Sequence, residues 1–191
     1  YGRKSVTNAG VTPTAYMDFR YGLRCNAQVV ASSGDPAYGS ATCPSPTAAN
    51  ASAYPDVPLD LQCGGSCSKR SPSFWTAYLL QSVQTNRDDS GTDYPTGVGV
   101  DRYSFRYKFH ATPDGTSPTL FLAGSQRLGI AGVGSTPDAG VPEIAFGGDV
   151  SLPNRADANS GAGAVPVYKP RLVLVQNEMG AVTTVAYTRP G

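Results

Sequence analysis

The sequence predicts a mainly β protein, an antiparallel β-sandwich or jelly-roll-like domain with one short helix and long Gly/Pro-rich loops. Residues 102–110 alternate aromatic and polar side chains, the period of two that indicates a strand. Only 15% of residues are charged, and the 22 Gly and 16 Pro are spread along the chain, as in short strands joined by turns. About seven segments carry strand signals, the number that a sandwich uses. They are residues 16–23, 102–110, 118–123, 127–133, 142–146, 171–176 and 181–187.

The first strand, residues 16–23, and the central strand, residues 102–110, follow the same alternation. In the central strand one face carries aromatic rings, which we expect to lie in the core: Tyr103, Phe105, Tyr107 and Phe109. The other face carries polar side chains and the cations Arg102, Arg106, Lys108 and His110. We expect these cations to be solvated, and they form a candidate face for a sulfated or otherwise anionic glycan.

A turn at residues 113–115 follows, because Pro presets φ and Gly accepts positive φ. The apolar run 119–123 then completes a hairpin with the central strand. Residues 171–176 and 181–187 predict a second hairpin, whose apolar run favours a central position in a sheet. The glycine-rich residues 128–134 lack a phosphate-binding motif and are interpreted as a closely packed strand.

The helix is predicted after residues 71–73, with Ser71 as N-cap and Pro72 in the first turn. Apolar side chains then recur at helical spacing: Phe74, Trp75, Tyr78, Leu79 and Val83. A strand over residues 76–83 is the alternative.

The four cysteines are Cys25, Cys43, Cys63 and Cys67. An even count in a weakly charged, Gly/Pro-rich chain favours an exported protein with two disulfides, and four cysteines allow three pairings. We prefer Cys25–Cys43 with Cys63–Cys67, because Cys43 lies within the long loop of residues 32–60 and would staple it. Four free thiols in a cytosolic protein, a redox-active Cys63–Cys67 pair and a zinc site are the alternatives.

Two segments resemble ligand or modification sites. Asn86, Asp88, Ser90 and Asp93 surround a Gly in the pattern of the first half of a calcium loop, but Gly97 replaces the Glu that should close it. Calcium is therefore a weakly supported candidate, beside the alternative of a solvated turn. Asn50 begins an N-glycosylation acceptor tripeptide, a pattern that also arises by chance.

Domain organisation follows from length. The chain of 191 residues predicts an N-terminal arm, residues 1–14, and a single disulfide-stapled β domain, residues 15–191. The first residues lack an initiator Met and the apolar run of a signal peptide, so we expect a processed or trimmed chain. A formal charge of +1 disfavours nucleic acid as a partner, and the absence of an 18-residue apolar run disfavours a membrane span.

These observations favour a non-enzymatic structural subunit of an extracellular or surface assembly, of the pilus, filament, sheath or capsid type, with copies of itself as partners. A secreted carbohydrate-binding or adhesion module is the alternative, because exposed tyrosines can stack on sugar rings. A secreted hydrolase is the third hypothesis. It would use His110, the one histidine, as a base near Asp114, or two carboxylates from Asp88, Asp93, Asp101 and Glu143.

Overall fold

The computed structural model describes residues 15–30, 41–59, 62–63, 65–66, 74–87, 98–115, 117–130, 139–148, 150–153 and 168–188. These residues form ten strands and two short helices, so the predicted mainly β class is confirmed. The first elements are β1 (Ala15–Leu23), α1 (Asn26–Val30), a 3-10 helix (Ala48–Ala53), β2 (Tyr78–Arg87), β3 (Val98–His110) and β4 (Thr119–Gly129). The others are β5 (Ala139–Gly140), β6 (Ile144–Gly147), β7 (Val150–Pro153), β8 (Tyr168–Arg171), β9 (Leu174–Gln176) and β10 (Val182–Thr184).

Every strand pair in the described part of the chain is antiparallel. The main sheet has eight strands in the order β1-β2-β3-β4-β6-β9-β10, and β5 pairs with β4 beside this path. β7 and β8 form a separate two-stranded sheet. The sandwich or jelly-roll arrangement stays a prediction, and the predicted arm, residues 1–14, lies outside the described residues.

The central hairpin is confirmed, because β3 pairs with β4 from Asp101 to His110. Gly115, in the turn, has a φ of +73°, which L side chains rarely adopt. Residues 118–123 and 127–133 were predicted as two strands. In the structure β4 runs from Thr119 to Gly129 as one strand, with a bulge at Ala123. A bulge adds one residue without ending the pairing, so Gly124 does not mark a turn.

The predicted helix is wrong, and the alternative strand is right. β2 lies between β1 and β3 and pairs with both, which satisfies its backbone groups on either side. The position of Tyr78–Arg87 between two strongly alternating strands therefore outweighs its helical spacing of apolar residues. The predicted N-cap, Ser71, lies outside the described residues.

The core lies at one end of the main sheet, where the segment 41–59 packs beside the start of β2. Its buried members are Cys25, Tyr54, Val57, Leu59 and Ala77. Two features hold this segment: the Cys25–Cys43 disulfide, and a hydrogen bond of 2.5 Å donated by the Tyr54 hydroxyl to the Pro44 carbonyl. A loop without apolar periodicity thus supplies much of the described core.

We expected the aromatic rings of β3 to be buried and its polar side chains to be exposed, and this expectation is wrong. Tyr103 is 43% exposed, whereas Ser104 on the opposite face is buried. Phe105, Tyr107 and Phe109 are half-buried. Tyr103 pairs with Val83, away from the core around Cys25 at the start of β2, which explains why its ring remains exposed.

The C-terminal hairpin is confirmed, with Gly180 in the turn at a φ of +84°. Its predicted central position holds for β9, which lies between β6 and β10, and is wrong for β10, which is the last strand on its side of the main sheet. All three residues of β10 are exposed, so its apolar content does not reflect burial between neighbouring strands.

Candidate functional site

The outer edge of β1 is the first candidate site. β1 ends the strand order of the main sheet, and no strand in the described ranges pairs with its outer side. Its side chains Met17, Phe19 and Tyr21 are 56%, 50% and 61% exposed. An exposed apolar edge strand offers backbone and side-chain contacts to another chain.

The exposed side chains of β1 continue across the sheet. Phe19 pairs with Val83, and Val83 pairs with Tyr103 on the next strand. Directly opposed residues of antiparallel strands lie on the same face. We call this surface, formed by Met17, Phe19, Tyr21, Val83 and Tyr103, the aromatic face. Contiguous exposed apolar surface of this kind marks sites of interaction.

The opposite face contains the predicted cationic residues. Arg102, Arg106, Lys108 and His110 alternate along β3 and therefore share one face, as expected. All four are half-buried, so the expectation that they are fully solvated is wrong. The ring of His110 meets the ring of Phe121 edge-on, with 5.0 Å between centroids. Whether this face binds an anionic glycan stays a prediction.

Arg106 has an acidic partner. Its guanidinium donates from Nε to Glu143 Oε2 at 2.9 Å and from a terminal nitrogen to Glu143 Oε1. This contact raises the pKa of Arg106 above its ordinary value. A side chain at Gly124 would collide with the Glu143 carboxylate, so glycine leaves the space that the ion pair occupies. The charge of Arg106, one of the four predicted cations, is therefore neutralised within the chain.

A cleft of about 710 Å³ is the second candidate site. Segment 51–58 forms one wall, and residues 117–119 with Lys169 of β8 form the other. Lys169 donates from Nζ to the Thr119 hydroxyl at 3.2 Å. The volume lies within the range of small-molecule sites, and the lining combines a carboxylate, an ammonium and hydroxyls.

Asp56 supplies the carboxylate in the lining of this cleft. Its Oδ2 lies 3.1 Å from a guanidinium nitrogen of Arg24. Burial raises the pKa of the Asp56 carboxyl above its ordinary value, and Arg24 opposes that shift in part. Its Oδ1 is buried without a hydrogen-bond partner among the described residues.

The sequence did not identify this cleft. Asp56 and Lys169 are distant along the chain and belong to no motif. The one local signal is the run of residues 54–58, in which an aromatic ring and two prolines flank an aspartate in the loop that follows Cys43. Such stiff segments can hold a polar group in place without regular secondary structure.

The acidic hydrolase candidates that the structure describes each have a partner of their own. Asp101 accepts from Arg127 at 2.8 Å, and Asp114 accepts from the backbone N–H of Tyr168 at 2.6 Å. Glu143 is paired with Arg106. Within the described lining of the cleft, Asp56 is the single carboxylate, whereas glycoside hydrolysis generally uses two.

Of the four residues of the candidate calcium site, the structure describes only Asn86. Asn86 is buried in β2, where its Oδ1 accepts from Gln84 Nε2 at 2.8 Å. Asp88, Ser90 and Asp93 lie outside the described residues. No group of three or more His, Cys, Asp or Glu side chains in the described part of the chain could hold a metal ion.

The predicted Cys25–Cys43 disulfide is confirmed, with 5.8 Å between the Cα atoms. Cys63 is exposed and disulfide-bonded, and its predicted partner, Cys67, lies outside the described residues. Asn50, of the glycosylation tripeptide, lies in the 3-10 helix and donates to the Ser45 carbonyl at 2.9 Å. In the described segments, no helix has the length and apolar character needed to cross a membrane.

No protein-family model, curated protein or solved structure matches this chain.

Proposed function

We propose that this chain is a non-enzymatic structural subunit of an extracellular or surface assembly, and that it associates with copies of itself. The observation that carries the proposal is the aromatic face, which runs from β3 to the edge of the sheet and in which all residues except the half-buried Val83 are exposed. Burying apolar side chains of this kind contributes roughly 25 cal/mol per Å² of surface removed from water. Self-association at this face would supply that contribution.

The open ends of the main sheet support the same function. β1 and β10 are the end strands in the described order, and end strands present N–H and C=O groups that another chain can pair with. A formal charge of +1 imposes little repulsion between copies. The chemistry of both surfaces therefore favours contact between like chains.

The extracellular location is proposed from the cysteines. The Cys25–Cys43 bond ties Cys25 to the start of the segment that contributes Tyr54 and Leu59 to the core. Structural disulfides persist in oxidising compartments and are rare in reducing ones. A subunit exposed outside the cell gains most from such a covalent closure.

Sedimentation velocity across a wide range of protein concentration tests the proposal, with electron microscopy of the most concentrated sample. We expect the mean mass to rise with concentration. Moderate salt should preserve association, because apolar burial is screened far less than surface charge. A protein that stays monomeric throughout, and shows no ordered particles, would refute the assembly function.

A pair of variants locates the contact. Tyr103→Ser removes a ring from the aromatic face and should weaken association. Met179→Ser removes a side chain that is 90% exposed in the β9–β10 turn, outside that face. We expect the second variant to associate like the unmodified chain. Equal effects of the two substitutions would count against the aromatic face as the contact.

A carbohydrate-binding or adhesion function is the second candidate, and the cleft favours it. Asp56, Lys169 and Thr119, which carry a carboxylate, an ammonium and a hydroxyl, line one cavity. Sugars bind through such polar groups, with apolar surface against the ring. A glycan array tests this function, with Asp56→Asn as the matched variant. Binding that survives this substitution would exclude the cleft as the glycan site.

A further inference from the structure

The regularity of β1 suggests how two copies would meet. β1 consists of nine residues, Ala15–Leu23, whose midpoint is Phe19. The irregularity in its pairing with β2 arises from an extra residue on β2, since Arg20 pairs with Ser82 and Tyr21 with Leu80. β1 itself therefore continues without a bulge. Its outer edge presents regularly spaced backbone N–H and C=O groups.

Backbone direction determines which residues of β1 can pair outward. The N–H of Arg24 donates to the Ala77 carbonyl at 2.9 Å, so at position 24 the backbone faces the β2 side. Backbone groups alternate sides along an antiparallel strand. It follows that Met17, Phe19 and Tyr21 direct their N–H and C=O groups to the open edge.

We propose that β1 pairs antiparallel with β1 of a second copy, on a two-fold axis that passes through Phe19. This inference rests on the proposed function and names the contact that starts the assembly. In that register Phe19 faces Phe19 of the second copy, and Met17 faces its Tyr21. Both are favourable cross-strand pairs, an aromatic pair and a sulfur–aromatic pair.

Charge complementarity fixes the same register. Asp18 and Arg20 lie on the other face of β1, where Arg20 Nε lies 3.1 Å from Asp18 Oδ2 and the side chains are 42% (Asp18) and 52% (Arg20) exposed, so both can also meet a second copy. A two-fold axis through Phe19 places Asp18 opposite Arg20 of the second copy, twice per pair. A shift of one residue pair would instead oppose Asp18 to Asp18 or Arg20 to Arg20, and like charges directly opposite are destabilising.

The pairing also extends the aromatic face. Val83 and Tyr103 follow Phe19 across the sheet of each copy. Joining the sheets at β1 would make one continuous row of apolar side chains through the two-fold axis. Backbone pairing and apolar burial thus act at a single contact.

Charge-reversal variants test the register. In Asp18→Arg every charged cross-strand pair becomes Arg opposite Arg, and in Arg20→Asp every such pair becomes Asp opposite Asp. We expect each variant alone to self-associate about tenfold more weakly than the unmodified chain. An equimolar mixture restores both opposite-charge pairs, so it should form one-to-one dimers as tightly as the unmodified chain.

Sedimentation velocity of the unmodified chain, each variant and the mixture provides the measurement. Recovery in the mixture shows that both variants are folded, and circular dichroism of each variant checks this independently. If the unmodified chain associates but the single variants associate equally well, or the mixture does not recover, the β1 register is wrong and the assembly function stands. If the unmodified chain is monomeric, both proposals fail.

Discussion

Removing the Cys25–Cys43 disulfide should destabilise the domain strongly, because this bond ties Cys25 to the start of segment 41–59, which provides much of the core. The two cysteines are 18 positions apart in sequence. For a loop of this length, the loss of unfolded-state entropy stabilises the folded chain by about 3 kcal/mol. Cys25 is fully buried beside Tyr54 and Leu59, so truncation to Ala also removes some packing.

We therefore expect Cys25→Ala/Cys43→Ala to lower the free energy of unfolding by about 3–4 kcal/mol. For a chain of this size, that loss corresponds to a decrease in Tm of about 6–16 °C. Urea unfolding followed by circular dichroism measures the free energy directly. Substitution is preferable to reduction, because a reductant would also reach the disulfide of Cys63.

The matched control is Cys63→Ala/Cys67→Ala. The predicted ring between these cysteines is much shorter, so the same relation gives about 2 kcal/mol. Cys63 is exposed, and little packing should be lost with it. A loss below about 1 kcal/mol for the Cys25 and Cys43 pair would refute the reasoning. It would mean that packing alone holds segment 41–59 in place.

Three further predictions concern stability, measured by urea unfolding. Leu59→Ala should lower the free energy of unfolding by about 2–5 kcal/mol, because Leu59 is fully buried. The control Met179→Ala, at an exposed site, should lower it by less than about 0.5 kcal/mol. Similar losses for the two variants would contradict the assignment of Leu59 to the core. Glu143→Gln should lower the free energy of unfolding by about 1–2 kcal/mol, because it removes the charged partner of Arg106. An unchanged free energy of unfolding would show that the ion pair does not contribute to stability. The raised pKa of Asp56 means that the folded chain retains a proton at pH values where the unfolded chain has lost it. Stability should therefore fall as pH rises from the ordinary Asp pKa through the raised value, and Asp56→Asn should flatten that slope.

Local alternation predicted part of the fold correctly. β1 and β3 show a period of two strong enough to identify them as strands from their own residues. The turns with Gly115 and Gly180 identify the two hairpins, since both positions have positive φ. These features depend on a few neighbouring residues, so they can be predicted from the local sequence.

Features that depend on distant partners were missed. The segment Tyr78–Arg87 carries apolar residues at helical spacing, but pairing with two neighbouring strands decides its conformation. Gly124 resembles a strand end, yet its missing side chain makes room for Glu143, which is distant in sequence. Neither partner is visible from the local pattern.

Burial was the least predictable property of the sheet. Alternation shows that Tyr103 and Ser104 lie on opposite faces, but it cannot show which face another segment covers. The described core comes from segment 41–59, which has no periodicity and whose position depends on the Cys25–Cys43 bond. The ring of Tyr103, assigned to a core by its pattern, therefore belongs to the surface on which the assembly proposal depends.

A two-fold contact at β1 joins two copies and then closes, because the same strand is used on both sides. A larger assembly needs a second surface, and β10 lies at the other end of the main sheet. Its three exposed residues offer far fewer backbone pairs than the nine of β1. Contacts at β10 should therefore be weaker, so pairs formed through β1 should appear first as concentration rises. Larger species should follow only when pairs are abundant, which makes the order of appearance a consequence of strand length.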